Sequence, residues 1–101
     1  MRVRWTKPAA TALGLIQDYI ANENSRAAFE VVQRSRIAAS QLEAHPKSGR
    51  TGRVRGTYEL VIHDLRYILA YRIKDKEVQI LSVYQTSRKW PETFRFTYEE
   101  T

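Results

Sequence analysis

Four basic side chains lie within a ten-residue segment that contains no acidic side chain. Residues 47–56 carry Lys47, Arg50, Arg53 and Arg55. Ammonium and guanidinium groups bind phosphates and carboxylates, and arginine does so through paired hydrogen bonds. The segment therefore indicates a site for a polyanion or an acidic protein, although such a charge run is equally typical of a solvated loop.

Other kinds of site chemistry have few residues to support them. The chain has no cysteine and only two histidines, His45 and His63. Disulfides and thiolate nucleophiles are thereby excluded, and a metal site would need carboxylates for most of its ligands. We expect neither a metal nor a cofactor. The formal charge of +6 again favours an anionic partner.

The length of 101 residues is enough for one small domain. We predict that residues 1–94 form this domain and that residues 95–101 are a C-terminal extension, either an extra edge strand or an unstructured end. The longest apolar runs, such as residues 60–62, are too short to cross a membrane. The first residues show no signal-peptide pattern, so we expect a cytoplasmic protein.

Two amphipathic helices are predicted in the first half of the chain. Leu13, Ile16 and Ile20 recur at helical spacing, and Thr6 is a suitable N-cap for the helix that contains them. A second helix is expected to begin at Asn24 or the next residue and to stop before Pro46. Because the connection is short, the helices should form an antiparallel hairpin.

Apolar residues alternate with a period of two after residue 56, which predicts strands. We expect strands at residues 58–63, 66–73 and 77–84, preceded by a short N-terminal strand at residues 2–5. If the first two long strands form a hairpin about residues 64–65, their apolar residues pair on one face. The predicted pairs are Tyr58 with Tyr71, Leu60 with Leu69, and Ile62 with Tyr67.

The predicted fold is α+β: an N-terminal strand, an antiparallel helical hairpin, then a C-terminal antiparallel sheet, with the helices on one face. The order of elements is β-α-α-β-β-β. The register places Glu59, Arg66 and Arg72 on the opposite face, with Glu59 diagonal to Arg72 and within reach of an ion pair. We expect this face to be an open, arginine-bearing docking surface.

An ordered string of residues runs through the second half of the chain. It begins with Pro46-x-x-Gly49-Arg50-x-Gly52-Arg53-Val54-x-Gly56-Thr57-x-Glu59-Leu60-Val61, continues with residues 67–73, and ends with Val78-x-Ile80-Leu81-x-Val83-Tyr84-x-x-Ser87-Arg88-x-Trp90-Pro91. In its order and spacing this string resembles the RelE/ParE superfamily, the toxins of bacterial type II toxin–antitoxin systems. The resemblance covers residues 1 to about 94 and is closest to the ParE-like, plasmid-stabilisation branch.

The resemblance implies a toxin that arrests bacterial growth and is neutralised by a cognate antitoxin in a hetero-oligomer. It also implies two alternative targets. ParE-like members poison DNA gyrase, whereas RelE-like members are endoribonucleases that cleave mRNA on the translating ribosome and use basic side chains to stabilise the phosphate. The order of elements that the superfamily implies agrees with the order predicted from periodicity.

Most of the basic positions of the RelE-like nucleases are replaced in this chain. Glu59 and Val61 stand where such nucleases place lysines, and Ile68 stands in place of a strand arginine. Arg88 alone matches a basic position, so it is the catalytic candidate if the protein is a nuclease, with Arg53, Arg55 and Arg72 as phosphate contacts. The substitutions favour the gyrase target.

The resemblance and the charge pattern together define a set of candidate residues for binding the antitoxin or the target. They are Arg50, Arg53, Arg55, Glu59, Arg66, Arg72, Arg88 and Trp90. Two other interpretations stay open: a non-toxic basic RNA-binding module, and a member of the superfamily that binds its antitoxin but no longer kills.

Overall fold

The structure is a computed structural model that describes residues 1–62 and 65–86. In these residues two helices pack against a sheet of five strands. This α+β architecture confirms the predicted fold class and order of elements. The elements are β1 (Arg2–Trp5), α1 (Lys7–Ala21), α2 (Ser25–Gln41), β2 (Arg50–Thr51), β3 (Tyr58–Ile62), β4 (Tyr67–Lys74) and β5 (Glu77–Gln85). Within the described ranges, neither helix is long and apolar enough to cross a bilayer.

The strands form a single sheet in the order β1-β5-β4-β3-β2. The β3–β4 register pairs Tyr58 with Tyr71 and Ile62 with Tyr67, as the apolar alternation predicted. Residues 63 and 64, at the centre of the predicted turn, lie outside the described residues. Strand β1 pairs with β5 in parallel, and this was not predicted because four residues carry no signal of pairing direction.

The β4–β5 hairpin turns through two residues, Asp75 and Lys76, which lie between the paired residues Lys74 and Glu77. Both turn residues have positive φ, 53° and 60°, the conformation that a two-residue type I′ turn requires. A register shift follows Ala70 in β4. At this shift Leu81 of β5 has no partner on β4, and the consecutive residues Ile80 and Leu81 pack on opposite faces of the sheet.

The helix caps lie where the sequence predicted them. The Thr6 hydroxyl accepts a hydrogen bond from the Ala9 backbone N–H at 3.4 Å, and Asn24 Oδ1 accepts one from the Ala27 N–H at 3.0 Å. The Thr6 hydroxyl also donates to the Ile80 carbonyl oxygen at 2.7 Å. This buried side chain therefore joins the start of α1 to the interior strand β5.

The main core lies between the helical hairpin and the sheet. It combines apolar side chains from both helices with the helix-facing residues of β3, β4 and β5, and Tyr58 and Tyr71 are among them, as predicted. The fully buried members include Ala9, Leu42, Leu69, Tyr71, Val78 and Ile80. Strand β5 contributes to this core because it lies inside the sheet, between β1 and β4, and is covered by α1.

The opposite face of the sheet is not the open docking surface that the sequence predicted. Its residues form a second apolar cluster of Ile68, Ala70, Leu81 and Tyr84, against which Val54 and Val61 pack. Ile68 is only 1% exposed. The prediction was wrong because it took this half-polar face to be open, although the apolar residues that it carries favour burial.

We predict that Thr6→Val lowers the free energy of unfolding by about 1–2 kcal/mol. Valine keeps the shape of threonine but removes the N-cap acceptor and the hydroxyl donor to the Ile80 carbonyl. Urea denaturation measures the change. Thr6→Ser keeps the hydroxyl and is the control. A loss in Thr6→Ser with none in Thr6→Val would show that the methyl group, not the hydrogen bonds, supplies the stability.

Candidate functional site

The most concentrated positive charge in the described part of the chain lies on residues 47–56, here called the basic loop. Its four basic side chains, Lys47, Arg50, Arg53 and Arg55, are all exposed. Sequence analysis treated the segment as a loop, but residues 50–51 form the short strand β2, which pairs with β3 at the edge of the sheet. The pairing gives the loop a fixed position on the sheet edge.

The carboxylate of Glu59 holds the basic loop from beneath. Glu59 is 2% exposed and lies opposite Arg50 in the β2–β3 ladder. Its Oε1 accepts hydrogen bonds from Arg50 Nη2 at 3.1 Å and Nε at 3.3 Å, and its Oε2 accepts one from the Arg53 backbone N–H at 3.1 Å. A buried charge needs such partners, so the ion pair fixes both the carboxylate and the loop.

A second anchor is the phenol of Tyr71, which is fully buried. The hydroxyl donates to the Pro46 carbonyl at 2.8 Å and accepts from the Gly49 N–H at 3.0 Å. The ring stacks on Tyr58 with centroids 5.3 Å apart. Burial raises the pKa of Tyr71, although the Gly49 N–H opposes the shift. The phenol therefore stays protonated at neutral pH and keeps its donor.

Two glycines let the basic loop approach the sheet closely. A Cβ atom on Gly49 would lie 2.7 Å from the Tyr71 hydroxyl and 2.9 Å from the Glu59 carbonyl oxygen. A Cβ atom on Gly52 would collide with the Thr57 hydroxyl. The Gly52 N–H donates to the Thr57 carbonyl at 2.8 Å, which closes the loop on itself. The loop backbone is therefore fixed by three groups: the Glu59 carboxylate, the Tyr71 hydroxyl and the Thr57 carbonyl.

A chain of polar side chains links the buried face of β4 to the edge strand β1. Arg72, 7% exposed, donates from Nε to Gln79 Oε1 at 2.6 Å, and Gln79 Nε2 donates to Glu77 Oε1 at 2.8 Å. Arg4 Nε donates to the same Glu77 oxygen at 3.0 Å. The hydrogen bonds from Gln79 and Arg4 lower the pKa of Glu77. Arg72 thus has a positioning role across β4, β5 and β1.

The candidate residues do not all lie together. Arg50, Arg53 and Arg55 share the basic loop, and the ion pair shown for Glu59 is with Arg50 of that loop. Arg66 is exposed at the other end of β3, in the turn before β4. Arg88 and Trp90 lie outside the described residues, as does the extension at residues 95–101.

Tyr84 was not a candidate, yet it lies beside the buried carboxylate that holds the basic loop. Burial, and then the negative charge of Glu59, raise the pKa of Tyr84 well above its usual value. Its hydroxyl therefore stays protonated at physiological pH. No sequence signal marked this contact, because Glu59 and Tyr84 lie on β3 and β5, which are not neighbouring strands in the sheet.

A groove of about 500 Å³ between the two helices is a second candidate site that sequence analysis missed. It lies between the packed bodies of α1 and α2 and is lined by Trp5, Ala10, Leu13, Gly14, Gln17, Val32 and Arg36. Gly14 is in the middle of α1, and among the described residues nothing lies within 4 Å of where its Cβ would be. A glycine inside a helical pattern was the available signal.

The described residues combine a helical hairpin that has a groove with a sheet whose edge carries fixed arginines. Residues 3–90 match the family model described as "ParE toxin of type II toxin-antitoxin system, parDE". The chain therefore belongs to the ParE toxin family. It is the toxin of a type II toxin–antitoxin system, and its partner is a cognate antitoxin, as the resemblance implied.

Two similar proteins agree with this assignment. "Putative toxin Y4kP" of Sinorhizobium fredii is 42% identical over 91 residues, which is 90% of this chain and 94% of that protein. A chain of the solved "Chromosomal ParDE TA system from P. aeruginosa" superposes with a TM-score of 0.77 and 29% identity. The match covers 86% of this chain and 97% of that one.

Tyr71→Phe is expected to lower the free energy of unfolding by about 1–3 kcal/mol, because the Pro46 carbonyl and the Gly49 N–H lose their buried partner. Tyr19→Phe is the matched control, since Tyr19 is 71% exposed and its change should stay within about 0.5 kcal/mol. Urea denaturation followed by circular dichroism compares the two. An unchanged midpoint for Tyr71→Phe would refute the role of the phenol.

Proposed function

We propose that this toxin poisons DNA gyrase and does not cleave mRNA. The proposal rests on the residues that stand at the positions where RelE-like nucleases place basic groups. Ile68 is buried in an apolar cluster, and Glu59 is a buried anion that holds the basic loop. The match to the ParE family supports the same target.

Phosphoryl chemistry needs cations that already face the scissile phosphate, and the loss of one such donor commonly costs about 3–4 kcal/mol of transition-state stabilisation. A carboxylate in that position would oppose the developing negative charge. Arg72 does not replace the missing cations at the surface, because it is buried and bonded to Gln79. These contacts support a toxin that acts by binding.

The interhelical groove is the proposed seat of the antitoxin. Leu13 and Val32 supply apolar walls, and Arg36 lies at its border. A helical or extended segment that places an apolar side chain over Gly14 and a carboxylate near Arg36 would fit this chemistry. Gly14 supports the assignment, because the described part of the chain leaves the space above it empty.

The remaining candidate residues divide by their exposure. Arg50, Arg53, Arg55 and Arg66 are exposed and are proposed to contact the target or the antitoxin. Glu59 and Arg72 are buried and are proposed to act through the residues that they hold. Arg88 and Trp90 remain proposed contact residues on the basis of the resemblance. Gyrase acts on the chromosome, so the proposed site of action is the cytoplasm.

Induced expression of the chain is expected to arrest bacterial growth, and co-expression of the cognate antitoxin should restore it. Purified toxin should inhibit supercoiling by gyrase in vitro and should leave mRNA intact on translating ribosomes. Both assays use the same preparation, with toxin–antitoxin complex as the control. Ribosome-dependent cleavage with normal supercoiling would reverse the assignment in favour of the nuclease, and Arg88→Ala would then abolish cleavage.

Gly14→Leu is expected to weaken antitoxin binding at least about tenfold and to leave growth arrest unchanged, because the side chain would occupy the groove and its Cβ would meet no described atom within 4 Å. Thr11→Leu, which adds bulk to an exposed position of α1 outside the groove, is the control. Isothermal titration of each variant with the antitoxin gives the affinities. Full affinity of Gly14→Leu would exclude the groove as the binding site.

A further inference from the structure

The residue composition of the basic loop suits the binding of phosphate groups. Its charged residues are three arginines and one lysine, and the segment contains no acidic and no aromatic residue. Planar guanidinium groups match phosphate oxygens in pairs. Single-stranded nucleic acids are bound largely by stacking on aromatic side chains, which the loop does not offer. The chemistry is that of contact with the backbone of a duplex.

The loop is also preorganised. Glu59 holds the Arg53 backbone and the Arg50 guanidinium, and Tyr71 holds the backbone at Pro46 and Gly49. Because the backbone is already fixed, binding does not require the segment to be ordered first, which lowers the entropic cost of association. A merely solvated loop has no need of two buried anchors.

The position of negative charge supports the same conclusion. Glu59 is the carboxylate that the structure shows beneath the loop, and it is 2% exposed. Arg50 pairs with it, yet the arginine side chain remains 59% exposed. The carboxylate therefore organises the arginines from inside and does not present a repulsive charge to an approaching phosphate.

The basic loop and the interhelical groove lie at different edges of the sheet. The groove includes Trp5 of β1, while the loop contains β2, and three strands lie between these two. At about 4.8 Å per strand spacing, β1 and β2 are about 19 Å apart. A segment of antitoxin seated in the groove and a duplex on the loop would use separate surfaces.

We propose that the basic loop binds the phosphate backbone of duplex DNA without sequence preference. The inference extends the proposed function, because it gives a gyrase poison a direct contact with the DNA that gyrase holds. Arg53 and Arg55 are the main phosphate contacts, and Arg50 supplies a third guanidinium held in place by Glu59.

The test measures binding of the toxin to two fluorescent duplexes of unrelated sequence over a range of salt concentrations. Both duplexes should bind equally. The double variant Arg53→Ala/Arg55→Ala should lose about tenfold in affinity at low salt, and the slope of log Kd against log salt should fall by about 2. Lys7→Ala/Arg26→Ala removes the same charge from exposed helix positions and should stay within about twofold of the parent.

A charge-preserving variant, Arg53→Lys/Arg55→Lys, keeps the salt slope and controls for folding, together with thermal unfolding of each protein. Equal losses in the loop variant and the helix variant would overturn the proposal, because binding would then reflect net charge alone. Absence of duplex binding, with tighter binding to an acidic antitoxin peptide that the loop variant loses, would assign the loop to the antitoxin instead.

The supercoiling assay separates this inference from the proposed function. A toxin that inhibits gyrase but does not bind free duplex would overturn the loop proposal and leave the target assignment standing. A toxin that binds duplex through the loop but leaves supercoiling normal would support the loop proposal and overturn the target assignment. If both hold, the loop double variant should also need about tenfold more protein to inhibit gyrase.

Discussion

The buried carboxylate of Glu59 is the constraint on which the arrangement of the functional surface depends. A charge at 2% exposure is stable only with partners, and here the partners are the Arg50 guanidinium and the Arg53 backbone. The carboxylate thereby fixes the position of the basic loop at the sheet edge. Folding and presentation of the arginines are consequences of the same interaction.

The two faces of the sheet carry different kinds of constraint. The helix-facing side is an apolar core in which Tyr71 contributes both packing and a hydroxyl that holds the loop. The other side mixes apolar residues with Arg72 and Glu59, so its stability requires the polar groups to be matched as well as buried. Among the described residues of this side, Arg72 and Glu59 are buried, so their charges are not presented to solvent.

Much of the fold could be predicted from the sequence, because strong local signals determine it. Thr6 and Asn24 are cap residues followed by helical apolar spacing, and the pairing of Tyr58 with Tyr71 follows from alternation alone. The groove, the strand β2 and the burial of Arg72 could not be predicted. Each depends on how elements distant in the chain pack together, and a charged residue in a strand pattern does not reveal whether its face is covered.

The glycines differ in whether a contact within the chain explains them. Contacts within the chain require glycine at residues 49 and 52, since a side chain at Gly49 would collide with the sheet and one at Gly52 would collide with Thr57. Gly14 has no such contact among the described residues, although glycine in a helix interior costs about 1 kcal/mol relative to alanine. A residue that destabilises its own helix without relieving any contact within the described chain is best explained by what must fit against it. The open space over Gly14 is therefore what the proposed antitoxin segment would fill, whereas the filled space over Gly49 belongs to the fixed loop.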